Sequence, residues 1–120
     1  MTNVQTRPQI LEERTLNFAY DTVEFCRQLP KTVENKVNCT QLIGSVSSIG
    51  ANYAEANNAS SRQDFRNKIF IAKKESAEAR YWLKLAAKVN PDSRVDPLLS
   101  KVSQLIFIFQ KIVSTLANGK

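Results

Sequence analysis

The chain has 120 residues, enough for one domain spanning 1–120 that buries about two-thirds of the surface its unfolded form exposes. Three glycines and four prolines leave few turns for a sandwich or barrel, so composition favours long helices. Histidine is absent, which excludes Ser-His and Cys-His nucleophiles, histidine general bases and most transition-metal sites; the formal net charge is +6.

The first helix is predicted over about residues 8–28, with Pro8 in its first turn and Pro30 ending it. Leu11, Thr15, Phe18, Thr22, Phe25 and Leu29 recur at 4-3-4-3-4 spacing and form one core seam. The second helix is predicted over about 33–57, with a seam of Leu42, Val46, Ile49, Tyr53 and Ala56 widened by Cys39, Ile43, Gly50 and Ala54. Gly50 inside a helix costs about 1 kcal/mol relative to alanine, and close approach of a neighbouring backbone would compensate.

The third helix is predicted over about 61–89. Ser61 and Asp64 match a capping box, and Asn90-Pro91-Asp92 ends the helix. Phe65, Ile69, Ala72, Ser76, Ala79, Leu83 and Ala86 form its seam, small in the middle where a partner helix can approach tightly. The fourth helix is predicted over about 95–116, with Leu98, Val102, Leu105, Phe109, Ile112 and Leu116 in its seam. Ile106, Phe107, Ile108 and Val113 lie outside that stripe, so the helix is apolar over more than half its circumference. Such a helix needs a second partner surface, which argues for a homo-oligomer; a wide core face in a single-chain bundle is the other reading. Four amphipathic helices with short connections predict an all-α, antiparallel up-down-up-down four-helix bundle.

The two cysteines, Cys26 and Cys39, form no CxxC and read as small buried hydrophobes in a reducing compartment, with a disulfide between them left open. The opening stretch, Met1 to Gln9, is polar and lacks the apolar core of a secretory signal. The longest apolar run, Leu105 to Phe109, is five residues, far short of a membrane span. A soluble, cytoplasmic protein without membrane contact is expected.

Charge is unevenly placed. Residues 1–60 carry five basic and six acidic side chains, whereas 61–120 carry twelve and five. Arg62 to Lys88 alone holds eight basic and three acidic residues. Arg62, Arg66, Lys73, Lys74, Arg80, Lys84 and Lys88 therefore suit an acidic partner such as RNA, DNA or an acidic protein surface. A solvated helix face accounts for them equally. Tyr81 and Trp82 sit among these cations; aromatics so placed can stack on single-stranded bases, although Trp82 reads better as a packed side chain.

On the second helix, Gln41, Ser45, Ser48, Asn52, Glu55 and Ala59 form a small, polar line beside the seam. An interhelix hydrogen-bond network or a subunit contact explains it better than a ligand site. Glu55, Glu75 and Glu78 make a weak carboxylate site without histidine, and Glu75 and Glu78 are expected to pair with Lys73, Lys74 or Lys84 at the surface. No enzyme activity, cofactor or metal is expected.

The segments S-I-G-A-N-Y-A-E-A (Ser48 onward), S-S-R-Q-D-F, I-A-K-K-E-S-A-E-A and Y-W-L resemble a family of small four-helix-bundle proteins encoded by intervening sequences in bacterial 23S ribosomal RNA genes, sometimes labelled S23 ribosomal proteins. The accessory variability protein of diversity-generating retroelements looks like a relative. The resemblance covers roughly residues 10–116. Ser48, Ile49, Asn52, Ala54 and Glu55 match the family's S-I-x-x-N-I-A-E-G. Phe65, Ile71, Ala72 and Glu75 or Glu78 match its second segment. Ala56 replaces the usual glycine, and Gly44-Ser45-Val46 stands where basic residues often occur. The resemblance implies a ring-like homopentamer. For the retroelement relatives it also implies a basic surface that binds nucleic acid and works with a reverse transcriptase. A non-enzymatic oligomeric nucleic-acid-binding bundle follows as the expectation, with a protein-interaction scaffold as the alternative.

Overall fold

The computed structural model describes residues 6–118. Residues 1–5, part of the polar opening read for a secretory signal, lie outside the described residues, as do 119–120. Four helices follow one another: α1 (Arg7–Gln28), α2 (Val33–Asn57), α3 (Arg62–Val89) and α4 (Asp96–Ala117). No strand occurs among the described residues, and the chain is an all-α four-helix bundle.

Each helix begins and ends for a local reason. Thr6 caps α1 in a capping box: its hydroxyl accepts from the Gln9 N–H at 3.3 Å, and the Gln9 side chain accepts from the Thr6 N–H at 2.8 Å. The helix stops before the extended Leu29, as the residue preceding a proline favours. Thr32 caps α2 on the Asn35 N–H, and Ser61 caps α3 on the Asp64 N–H at 3.0 Å. Asp64 does not return the bond to Ser61; its carboxylate accepts from the Ser60 N–H at 3.4 Å. No side chain caps α4, which relies on Asp96 and Pro97 in its first turn.

The seams meet in a single core. All six seam residues of α1 and all five of α2 are buried. In α3, Ile69, Ala72, Ser76, Ala79 and Leu83 have no exposed surface, while Phe65 is half-buried. The small centre of α3 thus permits the close packing that its composition suggests. In α4 the buried face is Leu98, Val102, Leu105, Phe109 and Val113; Ile112 and Leu116 are half-buried. Over that length a helix turning at 3.6 residues drifts from a strict heptad, which brings Val113 inward in place of Ile112. Gly50 lies against α1, where an added Cβ would come 3.3 Å from Thr15 Oγ1 and 3.8 Å from the Thr15 carbonyl carbon.

Polar contacts lock the helices in register. Near the start of α2, Asn35 exchanges two hydrogen bonds of 2.8 Å with Asn90, just past the end of α3. Midway, the Ser45 hydroxyl donates to Glu78 Oε1 at 3.3 Å. Near the end of α2, Glu55 pairs with Lys68 at 2.7 Å. Between α1 and α2, Asn57 donates to Glu12 at 2.7 Å. Between α1 and α4, Arg14 donates to Gln104 at 3.0 Å and Lys101 pairs with Asp21 at 2.9 Å.

Candidate nucleic-acid interface

The core seam of α3 fixes what its other faces present. Because Ile69, Ala72, Ser76, Ala79 and Leu83 point inward, the row one position along lies beside them toward solvent: Arg66, Phe70, Lys73, Ala77, Arg80 and Lys84, at 4-3-4-3-4 spacing. A second outer row, Asn67, Lys74, Tyr81 and Lys88, recurs every seven residues. Neither row contains an acid. Arg62, Lys74, Lys84 and Lys88 are exposed; Arg66, Lys73 and Arg80 are half-buried. The structure therefore places six of the seven predicted cations on these two rows, with Arg62 one turn before Arg66.

The electrostatic balance of this face is one-sided. Arg66, Lys73, Lys74, Arg80, Lys84 and Lys88 make no ion pair among the described residues. Two carboxylates of α3 are used elsewhere: Asp64 at the helix start and Glu78 on Ser45 of α2. This corrects the expectation that Glu75 and Glu78 pair with Lys73, Lys74 or Lys84. The hydroxyl of Ser45 is buried against α3 and needs an acceptor, and Glu78 is opposite it. Glu75 is half-buried and makes no ion pair among the described residues. The eighth cation, Lys68, points to the α2 flank, where its hydrogen bond to Glu55 and then that carboxylate's charge raise its pKa.

The aromatic side chains divide by role. Trp82 is half-buried against the core, and its buried Nε1 has no partner among the described residues. Tyr81 is 60% exposed and meets Trp82 edge-on, with ring centroids 5.1 Å apart. Phe70 is 41% exposed, and the Arg66 guanidinium lies 5.6 Å from its ring centroid. Phe70 is not distinguished by sequence reasoning centred on Tyr81 and Trp82. The signal that finds it is its place four residues after Arg66 and three before Lys73, on the outer row.

The polar line of α2 faces α3. Ser45 is buried on Glu78, Glu55 is salt-bridged to Lys68, and the Asn52 amide donates within its own helix to Ser48 O at 2.9 Å and Ser48 Oγ at 3.0 Å. Ser48 and Asn52 are half-buried, and Gln41 is exposed. Ser45 and Glu55 thus belong to the α2–α3 packing, whereas Ser48 and Asn52 bond within α2.

Other surfaces offer less chemistry. A recess of about 760 Å³ lies at one end of the bundle, and two of its three carboxylates, Asp21 and Glu24, are already paired with Lys101 and Arg27. Cys26 is buried and Cys39 half-buried, and both are free thiols. Burial, and then the adjacent Cys39, push the Cys26 thiol well above its ordinary range. Among the described residues no three carboxylates or thiols converge in a metal-binding arrangement, and no described helix is long and apolar enough to cross a membrane. Apolar side chains remain exposed on α1 (Leu16 and Tyr20) and on α4 (Phe107).

Comparison with known proteins adds a family context. Residues 9–110 match a family model described as 23S rRNA-intervening sequence protein. A crystal structure of a protein of unknown function from the S23 ribosomal protein family, from Bacteroides thetaiotaomicron, superposes with a TM-score of 0.77 at 32% identity. The match covers 85% of this chain and 96% of that one. No curated protein matches significantly.

Proposed function

The chain belongs to the 23S rRNA-intervening sequence protein family, and from that premise we propose that it is a non-enzymatic nucleic-acid-binding bundle whose α3 outer face grips the phosphates of RNA or DNA. The observation that carries this reading is the set of six α3 cations without an ion pair, on rows that contain no acid. A merely solubilising face is usually laced with both signs, since i to i+4 pairs stabilise a helix. Rows of cations without a carboxylate among them are suited to polyanions. Contacts from Arg62, Arg66, Lys73, Lys74, Arg80, Lys84 and Lys88 to phosphates would be largely independent of sequence and would weaken steeply with salt.

The same proposal includes the assembly. Contacts between α2 and α3 run in opposite order along the two helices, which supports an antiparallel up-down-up-down arrangement. Exposed Phe107 and half-buried Ile106, Ile108 and Ile112 on α4 support burial against further copies, in the ring-like homopentamer that the family resemblance implies. Ser45 with Glu78 and Glu55 with Lys68 serve as the polar register between α2 and α3, and Ser48 and Asn52 bond to each other within α2. An accessory role beside a reverse transcriptase, in the cytoplasm, follows from the retroelement resemblance. Exposed Phe107, Leu16 and Tyr20 favour a second reading, a scaffold that docks a partner protein.

Filter binding of labelled RNA and DNA tests the first reading. Charge reversal at Arg66, Lys73 and Arg80 together abolishes retention if the face is the site; undiminished retention removes the assignment. Partner proteins recovered by pull-down after nuclease digestion would support the scaffold instead.

A further inference from the structure

We infer that the nucleic acid held on α3 is single-stranded, with Phe70 and Tyr81 as the platforms on which its bases stack. The inference rests on the nucleic-acid reading above and adds the state of the strand. Cations alone do not discriminate, because they meet phosphates on duplex and single strand alike. The two rings do. They are large aromatic groups left in water among the cations of the outer rows, 41% and 60% exposed, while the other two aromatics of the helix, Phe65 and Trp82, pack on the core. A duplex keeps its bases stacked on one another and offers a helix only backbone and groove edges, so these rings find no free π-face there. A single strand offers a π-face at every base.

Both rings are held in place before any ligand arrives. Phe70 has the Arg66 guanidinium at 5.6 Å, so one ring contact is already made and carries a charge. Tyr81 is braced edge-on by Trp82 at 5.1 Å and 80°, and Trp82 is itself fixed against the core. A braced ring loses less freedom on binding than a mobile one. Eleven residues separate Phe70 and Tyr81, about 16 Å along the helix at 1.5 Å per residue, so they meet different bases of one strand. Lys73 and Lys74 lie between them, positioned for the intervening phosphates.

Fluorescence anisotropy with labelled oligouridylate, labelled oligothymidylate and blunt duplexes of RNA and of DNA tests the inference. Either single strand should bind more tightly than its duplex. Replacing both rings, Phe70→Ala with Tyr81→Ala, should weaken single-strand binding by about tenfold or more and leave duplex binding unchanged. Tyr81→Trp should retain single-strand affinity. Both sites are exposed, so a thermal melt matching the wild type is expected and confirms that folding is intact. Duplex affinity equal to single-strand affinity, or a double variant with unaltered single-strand binding, overturns the stacking inference while the basic-face reading stands. Failure of the wild-type chain to bind either form at low salt overturns both.

Discussion

Removing the Asn35 side chain should loosen one end of the bundle more than any surface change of its size. Asn35 is 3% exposed. Its amide donates to Pro30 O at 3.0 Å and to Asn90 Oδ1 at 2.8 Å, and its carbonyl accepts from Asn90 Nδ2 at 2.8 Å. These bonds tie the α1–α2 connection to the end of α3. Asn35→Ala deletes all three at about 1 kcal/mol each and leaves the Asn90 carbonyl without its partner, a loss of about 3 kcal/mol. Against a typical total of about 5–15 kcal/mol, that is a large fraction. The melting temperature should fall by about 10 °C. Asn90→Ala deletes the same two shared bonds and its own donation to Ala86 O at 2.9 Å, but Asn90 is only half-buried, so water can replace part of the loss and the cost should be somewhat smaller. The double variant should fall short of the sum by about 1–2 kcal/mol, as expected for groups that share bonds. Urea unfolding of the four proteins measures all of this. A loss below about 0.5 kcal/mol for Asn35→Ala, the range of a neutral surface change, or strict additivity in the double variant, would refute the reasoning.

Two further perturbations probe packing and titration. Gly44 has nothing within 4 Å of an added Cβ, whereas Gly50 has Thr15 Oγ1 at 3.3 Å, held there by its bond to Glu12 O at 2.8 Å. Gly44→Ala should therefore stabilise by about 0.5–1 kcal/mol through helix propensity, and Gly50→Ala should lose most of that gain, as read by urea midpoints. Burial raises the Cys26 thiol above its ordinary 9.0, so above that pH the unfolded chain releases a proton that the folded chain keeps. The unfolded state then binds fewer protons, and stability falls as pH rises. Tyr53, also raised chiefly by burial, adds to the fall. Cys26→Ala should flatten the curve, and Cys39 should react with a thiol reagent before Cys26.

Much of the fold was legible because the seams are long. Core positions spaced four and three apart over two to three heptads leave little choice of face, and the buried residues of α1, α2 and α3 follow that pattern. The α2 seam was nevertheless read too short. Asn38, four residues before Leu42, and Asn35, three before that, continue it in phase, and both are buried. Their polarity hid them, since a periodicity of apolar residues cannot register an asparagine whose partner lies 55 positions away. The same limit applies to the charges. The clustering on α3 was visible, but the turn of Glu78 toward Ser45 and of Lys68 toward Glu55 depends on which helix lies opposite. The outer rows hold no acid by position; what the opposite helix decides is that Glu78 turns to Ser45 and not to Lys74, four residues before it. Phe70 stood out only once the outer row was defined by the inner one.

The most direct test of the central claim is size-exclusion chromatography with light scattering and absorbance ratio, run on purified protein at low and high salt, with and without nuclease. The account predicts a discrete oligomer that carries nucleic acid at low salt and sheds it at high salt or after nuclease. A monomer free of nucleic acid under every condition would contradict both the assembly and the basic-face reading, leaving α3 an ordinary solvated helix.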